Sequence, residues 1–323
     1  MQENLKLEQN PVETPKKIVQ DMDNLDVNKE KRKNQIGHVL YKIFVYIFLT
    51  IVAIGAIFPF YWMIITSLKQ EPEFMKSVPT FFPEIINWEN YGYVINYNKG
   101  MFGTALLNTI VVGSLSTLLS LVIIILTAYA FAKMEFAGKE LLFSILLATM
   151  MIPGELYSTT NYITVSENYL GWNNTFVVMI IPFLVSVYYI YLLRNNFKQI
   201  PNSLYQAAKV DGTSEVGFLW KVMIPLTAPT LISVTLLKFI GTWNSYIWPE
   251  LVNDKQWQLV SNWMAGTGFS DKEGILNNLH VPMENLTTLK MAAACMISLP
   301  LLVLFLCFRK YIMRGVSRSG TKG

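Results

Sequence analysis

Residues 104–132 read TALLNTIVVGSLSTLLSLVIIILTAYAFA, twenty-nine consecutive positions without one charged side chain. A helix needs about 20 apolar residues to cross a hydrocarbon core of about 30 Å, so this stretch is long enough to span a bilayer. Five further blocks of the same kind lie at 39–66, 141–163, 174–193, 222–240 and 289–308. Each is continuous, whereas a membrane β-barrel would show segments of about 10 residues with alternating polarity. The composition agrees: of 323 residues, 52% are hydrophobic and only 15% charged, against about 25% charged in soluble domains. The chain is therefore expected to be an all-α integral membrane protein with six transmembrane helices. A disordered chain, a disulfide-stapled secreted module and an ordinary cytosolic enzyme are excluded.

Prolines fall inside several of these spans. Pro153-Gly154 predicts a break in the third, Pro182 interrupts the fourth, Pro225 and Pro229 fall in the first turns of the fifth, and Pro300 lies inside the sixth. Membrane helices tolerate proline because neighbouring side chains re-satisfy the freed carbonyls. Lysine and arginine set the orientation. Nineteen of them fall in the N-terminal segment through Lys42, the second-to-third loop (Lys133, Lys139), the fourth-to-fifth loop (Arg194, Lys198, Lys209, Lys221) and the C-terminus. The opposite loops hold five: Lys69, Lys76, Lys99, Lys255 and Lys272. Both termini are thus expected in the cytosol. Residues 1–37 balance seven basic against seven acidic side chains with few large apolar ones, which predicts a disordered cytosolic tail and no signal peptide. Residues 38–314 form the expected transmembrane domain and 315–323 a cytosolic C-terminal tail.

Absences narrow the function. No Asp, Glu, Lys, Arg or His stands in the middle of a span, with Lys238 and Lys290 read as lying at span ends. Ion-coupled carriers and proton pumps need buried ionisable groups, which argues against them. His38 and His280 are far apart, and Cys295 and Cys307 are twelve residues apart, so neither pair has metal or redox spacing. No metal site, resident cofactor, nucleophile–base constellation or glycine-rich phosphate loop is expected, which disfavours a membrane enzyme. The net charge of +4 is too small and scattered to suggest nucleic acid. If solute moves uphill, the energy enters through another chain. Six of the eight tryptophans (Trp88, Trp172, Trp243, Trp248, Trp257, Trp263) fall in outward-facing segments. They form either an interfacial belt or a docking or sugar-stacking surface, for which Trp243, Asn244 and Tyr246 are the candidate substrate-path residues.

The loop at 200–212 reads IPNSLYQAAKVDG. It predicts a short helix over about 203–211, with Ser203 as N-cap, Gln206 completing a capping box and Gly212 as a left-handed C′ residue. Leu204, Ala207 and Ala208 make a small flat apolar face. So short a helix is marginal alone and needs a partner surface, either a bracket within the chain or a docking peg for a cytosolic protein.

This stretch resembles the EAA loop of permeases of binding-protein-dependent ABC importers. Pro201, Ala207, Ala208, Asp211, Gly212, Pro225 and Pro229 stand at matching positions, while Gln206 replaces the usual Glu. Similar in the carbohydrate-type permeases are Pro59-Phe60-Tyr61-Trp62-Met63, Asn108-Thr109, the 128–132 stretch, Met150-Met151-Ile152-Pro153, and Trp243-Asn244 with Trp248-Pro249. The ending from Gly315 to Gly323 resembles that of permeases of the smaller maltose-transporter type, with Thr321 as a departure.

The resemblance implies the type I importer architecture in a bacterial cell membrane, embedded in lipid and paired with a second, related permease. Two cytosolic ATPase subunits would bind ATP and Mg, and an external solute-binding protein would deliver sugar. Ser203, Leu204, Gln206, Ala207, Ala208, Asp211 and Gly212 would then be the ATPase-coupling residues. Alternatives are glycerol-phosphate or another polar solute as cargo, or an ATPase-independent channel or carrier. An anionic cargo would favour cationic groups in the pathway. None is evident in the sequence, so sugar leads.

Overall fold

The computed structural model describes residues 15–96, 101–267 and 287–317, and among these the regular secondary structure is helical, with no strand. The chain divides into two units, Met1–Trp62 and Met63–Gly323. Most of α1 (Pro15–Ser67) lies in the first. Its large apolar side chains, Phe44, Ile51 and Phe60 among them, are exposed, a surface suited to lipid or to another helix. Helix α1 begins at Pro15, so residues 15–37, expected to be disordered, carry helical backbone. The apolar span supplies a nucleus, and extending it costs far less than starting a helix anew.

In the second unit, α2 (Glu71–Phe74) and α3 (Glu89–Asn96) precede α4 (Met101–Lys133). Helix α4 organises the rest, packing on α8 (Val187–Lys198) and α12 (Ala228–Trp243), and α12 packs in turn on α15 (Thr287–Ser317). Ala105, Thr109, Val112, Ser116, Ser120, Ile124 and Ala128 recur every three or four residues on its buried face. Small and hydroxylated side chains face inward because they let membrane helices approach closely. Gly113 shows how closely: a Cβ there would stand 2.9 Å from the Phe239 ring of α12.

The expected break at Pro153-Gly154 is present, whereas α15 runs unbroken through Pro300. The 141–163 block divides into α5 (Lys139–Thr149) and α6 (Gly154–Val165), with Pro153 capping α6. Helix α7 (Phe176–Ile180) runs through a 3-10 turn at Ile181–Phe183 before α8, and the two halves bend by 47°. Helix α9 (Asn202–Val210) leads to α10 (Glu215–Phe218), a π turn and α11 (Ile224–Leu226), after which the chain turns by 82° into α12. The short helices α13 (Ile247–Val252) and α14 (Val260–Asn262) follow, and a π turn at Trp263–Thr267 ends the described part of this loop. Three described segments, Gly37–Ser67, Met101–Lys133 and Thr287–Tyr311, are long and apolar enough to cross a membrane singly, and the two bent pairs pass the same test jointly.

Carbonyls freed at the α7–α8 break find side-chain donors. Ser120 Oγ of α4 donates to Leu184 O at 2.6 Å, and Lys238 Nζ of α12 donates to Phe183 O at 2.6 Å. Lys238 was placed at a span end by its sequence. Helix α12 continues to Trp243, so this lysine stands five residues inside it.

Candidate functional site

Helix α9 is tied down at both ends. Pro201 occupies the N-cap and no side chain caps the first turn, so the expected Ser203–Gln206 capping box does not form. The N-cap lies two residues earlier than the motif predicts, leaving Ser203 inside the helix. Its anchor is Lys133, the last residue of α4, whose Nζ donates to Ile200 O at 2.8 Å and to Asn202 Oδ1 at 2.9 Å. The other end matches expectation. Gly212 takes φ +72°, Thr213 N donates to Ala208 O at 2.8 Å, and Gly212 N donates to Lys209 O at 3.1 Å. These two bonds close a Schellman motif.

The faces of α9 differ from the flat apolar patch expected. Tyr205 and Ala208 turn inward onto the cluster of Phe197, Phe218 and Leu219, with the Tyr205 and Phe218 rings edge to face at 5.2 Å. Leu204 and Ala207 turn outward, together with Ser203, Gln206, Lys209 and Val210, which is 88% exposed. Ala208 thus belongs to the anchored side, and Leu204, Ala207 and Val210 form the free one.

Beneath the helix sits Glu215, held by Ser214 as N-cap of α10. Its Oε1 accepts from Tyr205 Oη and Lys209 Nζ of α9, each at 2.6 Å, and its Oε2 accepts from Tyr129 Oη of α4. One carboxylate therefore joins the free-standing helix to the central span. Its negative charge raises the Tyr205 phenol and the Lys209 amine above their ordinary values, in both cases chiefly through the direct hydrogen bond. A second ionic joint lies alongside. The buried Arg194 of α8 grips Glu140 of α5 through both carboxylate oxygens at 2.7 and 2.8 Å, donates from Nε to Phe131 O at 3.0 Å, and lies 3.8 Å over the Phe143 ring. Arg194, with Lys198, holds the Glu140 carboxyl below the usual range. Sequence reasoning missed Glu215, Tyr129 and Arg194. Tyr205 and Lys209 at i and i+4 were the available signal, since that spacing shares one helix face.

The candidate substrate-path residues are not brought together. Trp243 is only 2% exposed and packs with Phe102 and Trp263, whereas Asn244 and Tyr246 are exposed. Trp248 and Trp263 are buried as well, so these three of the outward-facing tryptophans are neither belt nor sugar wall. Their rings fill the gaps that short, irregular helices leave. Around them the joints are neutral: Asn108 Nδ2 donates to Gln256 O at 3.0 Å, and Val260 N donates to Thr109 Oγ1 at 2.8 Å. Glu71 caps α15, accepting from Thr287 N at 3.2 Å and Thr288 N at 3.1 Å. Among the described residues no group of three or more His, Cys, Asp or Glu could hold a metal ion. His280 and the tail from 318 onward lie outside the described residues.

Residues 36–318 match the family described as binding-protein-dependent transport system inner membrane component. The trehalose/maltose transport system permease protein MalG of Thermococcus litoralis is 31% identical, across 88% of this chain and 98% of its own. The arabinooligosaccharides transport system permease protein AraQ of Halalkalibacterium halodurans is 28% identical, across 84% and 93%. A crystal structure of a bacterial ABC transporter that imports the acidic polysaccharide alginate aligns at a TM-score of 0.75 and 26% identity, covering 84% of this chain and 96% of that one.

Proposed function

The chain belongs to the binding-protein-dependent transport system inner membrane component family, and from that premise we propose that it forms half of the translocation pathway of an ATP-driven carbohydrate importer. It is a multi-pass membrane protein and a transport subunit rather than an enzyme. The related permeases serve trehalose, maltose and arabinooligosaccharides, which supports a carbohydrate cargo. Six spans cross the bilayer, the third and fourth broken near proline, and the nineteen-to-five imbalance of basic residues keeps both termini in the cytosol. A second related permease completes the pathway. Two cytosolic ATPases bind the ATP and Mg, and an external binding protein delivers the solute.

The observation that carries this reading is α9. Its outward residues, Ser203, Leu204, Gln206 and Ala207, stand free to enter a cleft on an ATPase subunit. Ala208, Asp211 and Gly212 close the helix into one rigid piece. Its inward side is bonded through Glu215 to α4, so displacement of the helix is passed to the central span. A coupling device acts only if its two states differ in contact energy, and an ATPase that closes on ATP supplies that difference. On the outer side Asn244 and Tyr246 remain candidate solute contacts, and Trp243 supports them from within.

The test uses Ala207→Trp and Gly212→Pro in the reconstituted transporter. Membrane insertion should survive both changes, while sugar uptake and sugar-stimulated ATPase activity should fall away together. Retention of both activities in both variants would overturn the assignment, as would crosslinks from residues 203–212 that find no ATPase subunit.

A further inference from the structure

Lys238 is a cation on an otherwise apolar helix, inside the membrane domain. Ionisable groups within membrane-spanning helices are costly and mark solute or ion paths. Among the described residues no carboxylate pairs with it, and its one hydrogen-bond acceptor is Phe183 O at 2.6 Å. That bond alone does not explain a lysine. The neighbouring Leu184 carbonyl at the same break is satisfied by the hydroxyl of Ser120, so a neutral donor suffices for such a role. An ammonium carries three donors, which leaves two for something else.

Lys238 lines a cavity of about 230 Å³ between α4, α8, α12 and α13, where Ser116, Tyr189, Thr242, Ser245 and Trp248 also face the space. Four of these five side chains bear hydroxyls, and the fifth presents an aromatic ring. The volume is below the roughly 300–1,000 Å³ that drug-sized ligands occupy. It suits one charged substituent and its immediate ring rather than a whole oligosaccharide.

We propose that Lys238 and the hydroxyls around it form a subsite for the phosphate or carboxylate of an anionic carbohydrate on its way through the pathway. The cation supplies the counter-charge, and the hydroxyls of Ser116, Tyr189 and Ser245 bond the remaining oxygens. This deepens the carbohydrate-importer reading and rests on it. It also reverses the expectation that the pathway lacks a positive group.

The test uses the complete transporter in vesicles, with its partner permease, ATPases and binding protein. Uptake and ATPase stimulation are compared for matched probes: a glucuronyl disaccharide against its neutral glucosyl counterpart, and glycerol phosphate against glycerol. The wild type should favour the anionic member by about tenfold in kcat/KM, the worth of one charge-assisted hydrogen bond. Lys238→Gln should remove that preference and leave neutral uptake within about twofold, whereas Lys238→Arg, which keeps the charge, should retain it. A wild type that favours the neutral probes, or a K238Q that lowers both probes equally, would reduce Lys238 to a prop for the Phe183 carbonyl. Should K238Q fail to assemble, the wild-type preference and K238R decide the matter. An effect of K238Q seen only with phosphatidylglycerol in the vesicles would make a lipid phosphate the partner and overturn the cargo assignment. If no carbohydrate probe stimulates the wild type, the carbohydrate reading itself falls and this inference falls with it.

Discussion

Helix α4 is held at both ends by polar side chains, but by different chemistries. At its C-terminal end the joints are ionic and partly open to water: Tyr129 on Glu215, Lys133 on the start of α9, and Arg194 on Glu140 beside the Phe131 carbonyl. At its N-terminal end they are neutral and buried, with Asn108 and Thr109 bonded to the backbone at 256–260 and Phe102 edge to face with Trp263 at 5.3 Å. The carboxylates of these joints, Glu140 and Glu215, stay within reach of water, where ionic bonds exchange at modest cost. Buried neutral networks lose the full desolvation penalty when broken. The contrast teaches that one end is suited to rearrange and the other to stay fixed.

The largest expected effect lies at the fixed end. Trp243→Ala empties a packed aromatic site and should destabilise the protein by about 3–5 kcal/mol, read as a lowered Tm of the purified transporter. Molecules that remain folded should keep their ratio of ATP hydrolysed to sugar moved. A changed ratio at unchanged Tm would break the contrast. Next comes Glu215→Gln, which weakens the bonds to Tyr129, Tyr205 and Lys209. The stability loss should be about 1–3 kcal/mol, with more ATP hydrolysed per sugar transported. A Tm shift with an intact ratio would make Glu215 a plain brace.

The smallest effect concerns acid. The Glu140 carboxyl lies below its ordinary range because Arg194 and Lys198 favour its charged form. Its contribution is therefore fully present above the unfolded value near 4.3 and fades only as pH falls below it. Between about pH 5 and 8, Glu140→Gln should leave the pH slope of thermal unfolding unchanged. A slope that differs from wild type in that window would show that the pair titrates elsewhere.

Much of this was legible before any coordinates. The uncharged run at 104–132 specified a spanning helix, Pro153-Gly154 located a break, and Gly212 marked a left-handed residue. What escaped notice depends on contacts between distant positions. Glu215 acquires its role from Tyr129, eighty-six residues earlier, and no local pattern encodes that pairing. The burial of Trp243 escaped because an aromatic near a membrane face reads equally as an anchor or as core until its neighbours are known. The α9 N-cap slipped by two residues because Ser203 and Gln206 matched a capping motif that Pro201 pre-empted.

The contact of Gly113 with Phe239 carries a mechanical consequence. Where the ring of one helix takes the room of a missing β-carbon on the other, the crossing has no slack and behaves as a pivot. From Gly113 the rod extends about 24 Å to Tyr129 and about 16 Å to Phe102, at 1.5 Å per residue. With the tryptophan end held by its buried network, a swing at the ionic end is taken up along the longer arm between this crossing and Tyr129, so one missing β-carbon sets where the rod gives.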